Sequence, residues 1–240
     1  MNTSKKRAVT HFQPLLLTES DDFQFVESYK ALRTNLLFSL PVKEGNNCRK
    51  LLFTSASPAD GKSTTTVNLA LTLAETETRV LLIDADMRKP TVHRYFSMDN
   101  RVGLSNLLSG MNQKAECIQA VPQFPNLSVI PSGILPPNPS ELLGSSAMEK
   151  LLNELEKSYD FILLDTPPVN VVTDALSIAG KMDGVALVVA FGKTTLPEAE
   201  QAVEALRFAN ANVLGTILNR VVKNKHSRFS KHGYESYNYQ

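Results

Sequence analysis

Cysteine is scarce: Cys48 and Cys117 are the only two in 240 residues, far apart, with no CxxC pair and no Cys/His spacing suited to a metal. A disulfide scaffold and a zinc module are therefore excluded, and a reducing cytosol is expected. Long apolar runs are also lacking. The longest, Val185 to Phe191, is far too short to cross a bilayer, and the basic Lys5-Lys6-Arg7 is followed only by Leu15-Leu16-Leu17 rather than an export signal. Any link to a membrane is expected to come through a partner. Nor is there an excess of one charge: 25 Lys and Arg face 24 Asp and Glu, a formal net charge of +1. That balance gives no broad footprint for nucleic acid. Basic residues gather locally, at Lys5-Lys6-Arg7 and at Lys223, Lys225, Arg228 and Lys231, either as solvated ends or as weak attractions to an anionic membrane surface.

What is present suits one large α/β domain, with 42% hydrophobic residues, 20% charged residues and 11 glycines. Residues 1–20 read as a flexible N-terminal segment, 21–222 as the folded domain and 223–240 as a flexible tyrosine-rich tail. Phe25, Tyr29, Leu32 and Leu36 recur at helical spacing from Asp22 to about Leu40, ended by Pro41. Apolar strands follow at Lys50–Ser57, Arg79–Asp86, Asn126–Gly133, in "FILLDTPP", in "GVALVVAF" and in "NVLGTILNRV". Between them lie a helix to about Glu77, a region of short helices, one helix from Asn138 to about Tyr159, and helical stretches at Thr173–Met182 and Leu196–Asn210. In "PPNPSELL", Asn138 is placed to cap that helix, Pro139 to open it and Glu141 to complete a capping box. Val/Ile/Leu runs alternating with helices predict a doubly wound, mostly parallel sheet, whose ligands bind at the carboxyl ends of the strands.

"ASPADGKST", Ala56 to Thr64, stands between the first strand and its helix and matches G-x-x-x-x-G-K-[ST], with Ala56 in place of the first glycine. In a P-loop NTPase such a loop wraps phosphates with its backbone N–H groups, here those of Ala59, Asp60, Gly61, Lys62, Ser63 and Thr64. Lys62 reaches the β and γ oxygens, and Ser63 ligates Mg²⁺. "LLIDADMRKP" ends a buried strand on Asp84 and Asp86, two carboxylates expected on one face of the sheet, and "FILLDTPP" ends on Asp165. Each aspartate alone reads equally as a cap or a solvated end. Together, beside a phosphate loop, they point to a bound Mg²⁺.

These motifs, with "PPNPSELL" and a terminal tyrosine cluster, resemble over nearly the whole chain the bacterial tyrosine kinases of capsule and exopolysaccharide synthesis. The resemblance implies ATP and Mg²⁺ as cofactors, Asp86 and Asp165 completing the metal shell, and Asp84 orienting or deprotonating an attacking tyrosine hydroxyl. It makes Asn219 of "ILNR" a candidate adenine contact, where a turn asparagine is the plain alternative. Glu27, Lys30 and Arg33 form either i,i+3 salt bridges on a solvated face or, by resemblance, a subunit contact. The family carries arginine where this chain has Lys30, which keeps the charge without the planar fork. The implied partners are further copies of the chain in a ring-like homo-oligomer, a membrane activator that recruits the cytoplasmic chain to the inner face of the membrane, and sugar-nucleotide or glycosyl-transfer enzymes as substrates. ATPases of the MinD and ParA type share the sheet, but their loop carries a lysine just after its first position, where this chain has Ser57 and Pro58. A nucleotide-gated scaffold is a third reading.

Half of the six tyrosines, Tyr234, Tyr237 and Tyr239, lie in the last eight residues, "GYESYNYQ". On composition alone they are solvated terminal residues. The resemblance makes them the phosphorylation sites, modified in trans.

Overall fold

The computed structural model of the chain describes Leu16, residues 23–40 and residues 48–221. The calls on the tail tyrosines, and on the N-terminal segment apart from Leu16, lie outside the described residues.

Seven strands form one sheet in the order β3-β4-β2-β5-β1-β6-β7. They are β1 (Arg49–Ser55), β2 (Val80–Asp84), β3 (Gln119–Val121), β4 (Phe124–Ile130), β5 (Phe161–Asp165), β6 (Gly184–Ala190) and β7 (Val213–Asn219). All pairings are parallel except β3 with β4. The sheet is therefore the doubly wound, mostly parallel α/β arrangement that the alternating pattern predicted. The antiparallel edge strand β3 was not foreseen, because its three residues carry no apolar run.

Period-two alternation divides the strand side chains between two cores. Leu51 and Phe53 of β1 pack on one face with Leu82 and Leu163. Leu52 points to the other, with Leu81, Ile83 and Leu164. The first face is covered by α2 (Lys62–Ala74), and α1 (Phe23–Ser39) lies on α2. Tyr29 and Leu36 are the buried residues of α1, and the Arg33 guanidinium donates to the Thr72 carbonyl at 2.6 Å.

The second face is covered in part by α6 (Pro139–Gly144), α7 (Ser146–Leu155), α8 (Leu176–Ala179) and α9 (Leu196–Phe208). In α7, Met148, Leu151, Leu152 and Leu155 recur at i, i+3, i+4 and i+7 and are buried; each contributes up to about 2 kcal/mol of transfer free energy. Thr195 caps α9, and Glu198 returns a bond to the Thr195 N–H at 2.8 Å.

Three local expectations need correction. The single helix expected from Asn138 to Tyr159 is two helices: Ser145 adopts an extended conformation (ψ 160°), ends α6 and accepts the Met148 N–H to start α7. Asn138 precedes Pro139 but caps no backbone group, since its amide donates to the Glu141 carboxylate. Only Leu176–Ala179 of the stretch 173–182 is helical. Three further short helices, α3 (Val92–Tyr95), α4 (Leu104–Leu108) and α5 (Lys114–Cys117), fill the region between β2 and β3.

Candidate nucleotide site

The loop between β1 and α2 turns through two left-handed residues on either side of Asp60, Ala59 at φ 60° and Gly61 at φ 94°. Alternation of this kind aims successive backbone N–H groups into one concavity, an anion-binding arrangement at a helix start. Ala56, the departure from the expected glycine, is fully buried in the core on the α7 face, so its methyl group is accommodated.

Contacts within the loop and from β6–α9 and β7 hold its shape. Asp60 is fully buried and accepts the Ser57 N–H at 2.9 Å. Lys193, from the turn between β6 and α9, pairs with the other oxygen of Asp60 at 2.7 Å and donates to the Pro58 carbonyl. Asn219, the last residue of β7, donates to the Asp60 carbonyl at 2.9 Å and occupies the space beside Gly61.

The ladder register brings the carboxylates together, since Asp84 at the end of β2 lies opposite Asp165 at the end of β5. Lys62 Nζ lies 3.1 Å from Asp86 Oδ2, 3.4 Å from Asp165 Oδ1 and 3.2 Å from the Ser63 hydroxyl. Burial alone would lower the lysine pKa, but Asp165 and Asp86 overcome this and hold it above the ordinary value. Asp165 is raised, chiefly by burial, with Lys62 opposing. Asp84 is pushed up to about 8 by burial and by Asp165, against the pull of Lys62. Asp86 lies two residues beyond the end of β2, so the turn rather than the pleat of the strand aims it. Asp84 has no exposed surface, and its oxygens accept the N–H groups of Asp86, Thr91 and Val92 at 3.0–3.2 Å. It therefore holds the turn that presents Asp86.

Three carboxylates around one ammonium are an electrostatically incomplete set, and Asp165 Oδ2 is buried without a hydrogen-bond partner among the described residues. A divalent cation fits both features. Among the described residues, no group of three or more His, Cys, Asp or Glu side chains could hold a metal unaided. Ser63, phosphate oxygens and water would have to complete the shell, as magnesium in a nucleotide site requires.

The cleft above these groups encloses about 420 Å³. It is lined by Ala59 to Thr64 apart from Asp60, by Asp86, Arg88, Lys89, Thr91 and Tyr95, and by Pro167, Pro168, Val171 and Val172. A larger concavity of about 870 Å³ lies between α1 and β7, away from Lys62 and the three carboxylates. Glu27, Lys30 and Arg33 line no wall of the smaller cleft. Lys30 pairs with Glu27 at 2.8 Å, whereas Arg33 is committed to α2.

Four residues to which motif reading assigned no site role also shape the site. The Tyr95 and Thr64 hydroxyls lie 2.6 Å apart, which fixes the Thr64 side chain. Arg88 forms a two-pronged pair at 2.9 Å with fully buried Asp174, which also accepts the Ser140 hydroxyl at 2.6 Å, so "PPNPSELL" braces the turn after Asp86. Lys193 is the fourth. All four act across 31 or more residues of sequence, so no linear spacing marks them.

A family model described as an AAA domain matches residues 59–207. The tyrosine-protein kinase YwqD of Bacillus subtilis is 41% identical over 86% of this chain and 86% of its own length. The tyrosine-protein kinase etk of Escherichia coli K12 is 36% identical over 95% of this chain, which spans 31% of that longer protein. The solved kinase domain of Escherichia coli ETK superposes with a TM-score of 0.78 at 37% identity, covering 87% of this chain and 80% of that domain. The phosphate loop, the paired strand-end aspartates and this similarity over most of its length lead to one conclusion: the chain belongs to the bacterial tyrosine-protein kinase family.

Proposed function

We propose that the chain is an ATP-dependent protein-tyrosine kinase that modifies Tyr234, Tyr237 and Tyr239 of a neighbouring copy and so regulates capsule or exopolysaccharide synthesis and export. The observation that carries this reading is the meeting of Lys62, Asp86 and Asp165 beneath a left-handed phosphate loop, with one carboxylate oxygen of Asp165 unsatisfied among the described residues.

In this reading the N–H groups of Ala59 to Thr64 hold the phosphates of ATP, and Lys62 leaves its carboxylate partners to meet the β and γ oxygens. Ser63, Asp86 and Asp165 would hold Mg²⁺, which supplies neutralisation of the charge developing on the phosphoryl oxygens. The phenol oxygen of the acceptor forms the new bond to γ-phosphorus as the bond to the β-phosphate oxygen breaks; ADP leaves, and the phenolic proton passes to a carboxylate or to water. Asp84 serves the reaction by fixing the turn that carries Asp86. Asn219 closes the loop beside Gly61, where the base edge of the site would begin.

The remaining partners follow from the family resemblance. Among the described residues no helix is long and apolar enough to cross a membrane, and we assign recruitment to the inner face of the membrane to an activator. Copies assemble through α1, at the segment of Glu27, Lys30 and Arg33, of which Glu27 and Lys30 pair with each other and Arg33 bonds to α2. The domain spans 21–222, and the tail from 223 is the acceptor.

Incubation of the chain with Mg²⁺ and γ-labelled ATP tests the reading. Label on tyrosine is expected. Release of free phosphate without phosphotyrosine would indicate an ATPase switch, and nucleotide binding without turnover a scaffold.

A further inference from the structure

Asp60 is a carboxylate with no exposed surface, located within the loop that is to receive a polyanion. Left uncompensated there, it would repel the phosphates and bear a large desolvation cost. Its partners are the Ser57 N–H at 2.9 Å and the ammonium of Lys193 at 2.7 Å, which also reaches the Pro58 carbonyl. Lys193 comes from 133 residues further along the chain, between the end of β6 and the Thr195 cap of α9. The same junction touches the loop again, where the Ser57 hydroxyl donates to Glu198 at 3.3 Å.

From this geometry we infer that Lys193 is a positioning residue of the nucleotide site. Its ammonium neutralises Asp60 and fastens the outer side of the loop, keeping Ala59 and Gly61 left-handed and their N–H groups turned toward the phosphates. The cation reaches the loop from the β6–α9 turn, a distant part of the sequence. Lys193 itself stays behind the loop, bound to Asp60, and does not touch the phosphates. The inference rests on the nucleotide-binding reading of the cleft.

The test is equilibrium titration of the full chain with ATP and Mg²⁺, together with steady-state kinetics. Wild-type binding comes first, since its absence would sink the nucleotide reading itself. Given that binding, Lys193→Met is expected to weaken affinity about tenfold, raising KM while kcat stays within about twofold, as loss of a pre-formed binding shape should. Lys193→Arg, which keeps the charge, should stay within about threefold of wild type. In an Asp60→Asn background, where no buried charge needs a partner, Lys193→Met should change affinity less than about threefold. That double variant also answers the question if Lys193→Met alone fails to fold. Wild-type affinity in Lys193→Met, or a full tenfold loss in the Asp60→Asn background, overturns the inference.

Discussion

The amide of Asn219 stands where a side chain at Gly61 would have to go: a Cβ there would lie 1.9 Å from Asn219 Nδ2. Gly61 is also left-handed at φ 94°, a conformation costing a residue with a side chain about 1–3 kcal/mol. Gly61→Ala should therefore destabilise the chain by at least that amount and abolish nucleotide binding. Adding Asn219→Ala should recover part of the melting temperature, because it removes the overlap while leaving the backbone strain. Equal melting temperatures for the single and double variants would show that Asn219 does not close the loop.

Proton linkage should accompany metal binding. Asp84, with its pKa at about 8, and Asp165, also raised, retain protons in the folded state that the unfolded chain has lost. An acid raised in this way favours folding below its unfolded value near 4, and that contribution is lost as pH rises toward 8. A cation placed among these carboxylates must displace the protons. Stabilisation by Mg²⁺ with ADP, read as the shift in melting temperature, should accordingly grow between pH 6.5 and 8.5. A shift that is flat across that window contradicts the placement of the cation.

On α1, the three charged residues separate into two roles. Arg33 donates to Thr72, so Arg33→Ala should cost about 1 kcal/mol of stability in any oligomeric state. The Glu27–Lys30 pair is half exposed and contributes little within one copy. Sedimentation of a Glu27→Ala/Lys30→Ala variant is thus the clean test of assembly. Smaller species at unchanged melting temperature support α1 as the contact, and an unaltered profile rejects it.

Much of this was legible in the sequence because buried parallel strands write themselves as continuous Val, Ile and Leu runs, and because the phosphate loop and strand-end aspartates have fixed spacings. The sheet came out on those grounds, and the motifs named Lys62, Ser63, Asp86 and Asp165, which the structure brings together, although the turn after β2 rather than the strand pleat aims Asp86. Lys193, Tyr95 and the Arg88–Asp174 brace did not, since each meets its partner across a crossover that no local period encodes. The division at Ser145 was missed for a different reason: the apolar pattern on either side is helical, and only the extended backbone of one residue separates α6 from α7.

Lys62→Met provides the most direct test of the central claim. The substitution removes the only ammonium contacting Asp86 and Asp165 among the described residues, so phosphoryl transfer by that chain should fall below detection. On the proposed reading, its tail should remain an acceptor. Mass spectrometry of the Lys62→Met chain after incubation with wild-type protein, Mg²⁺ and ATP should find phosphate on Tyr234, Tyr237 and Tyr239, and none when wild type is omitted. An unmodified Lys62→Met tail beside wild type that consumes ATP would contradict the account.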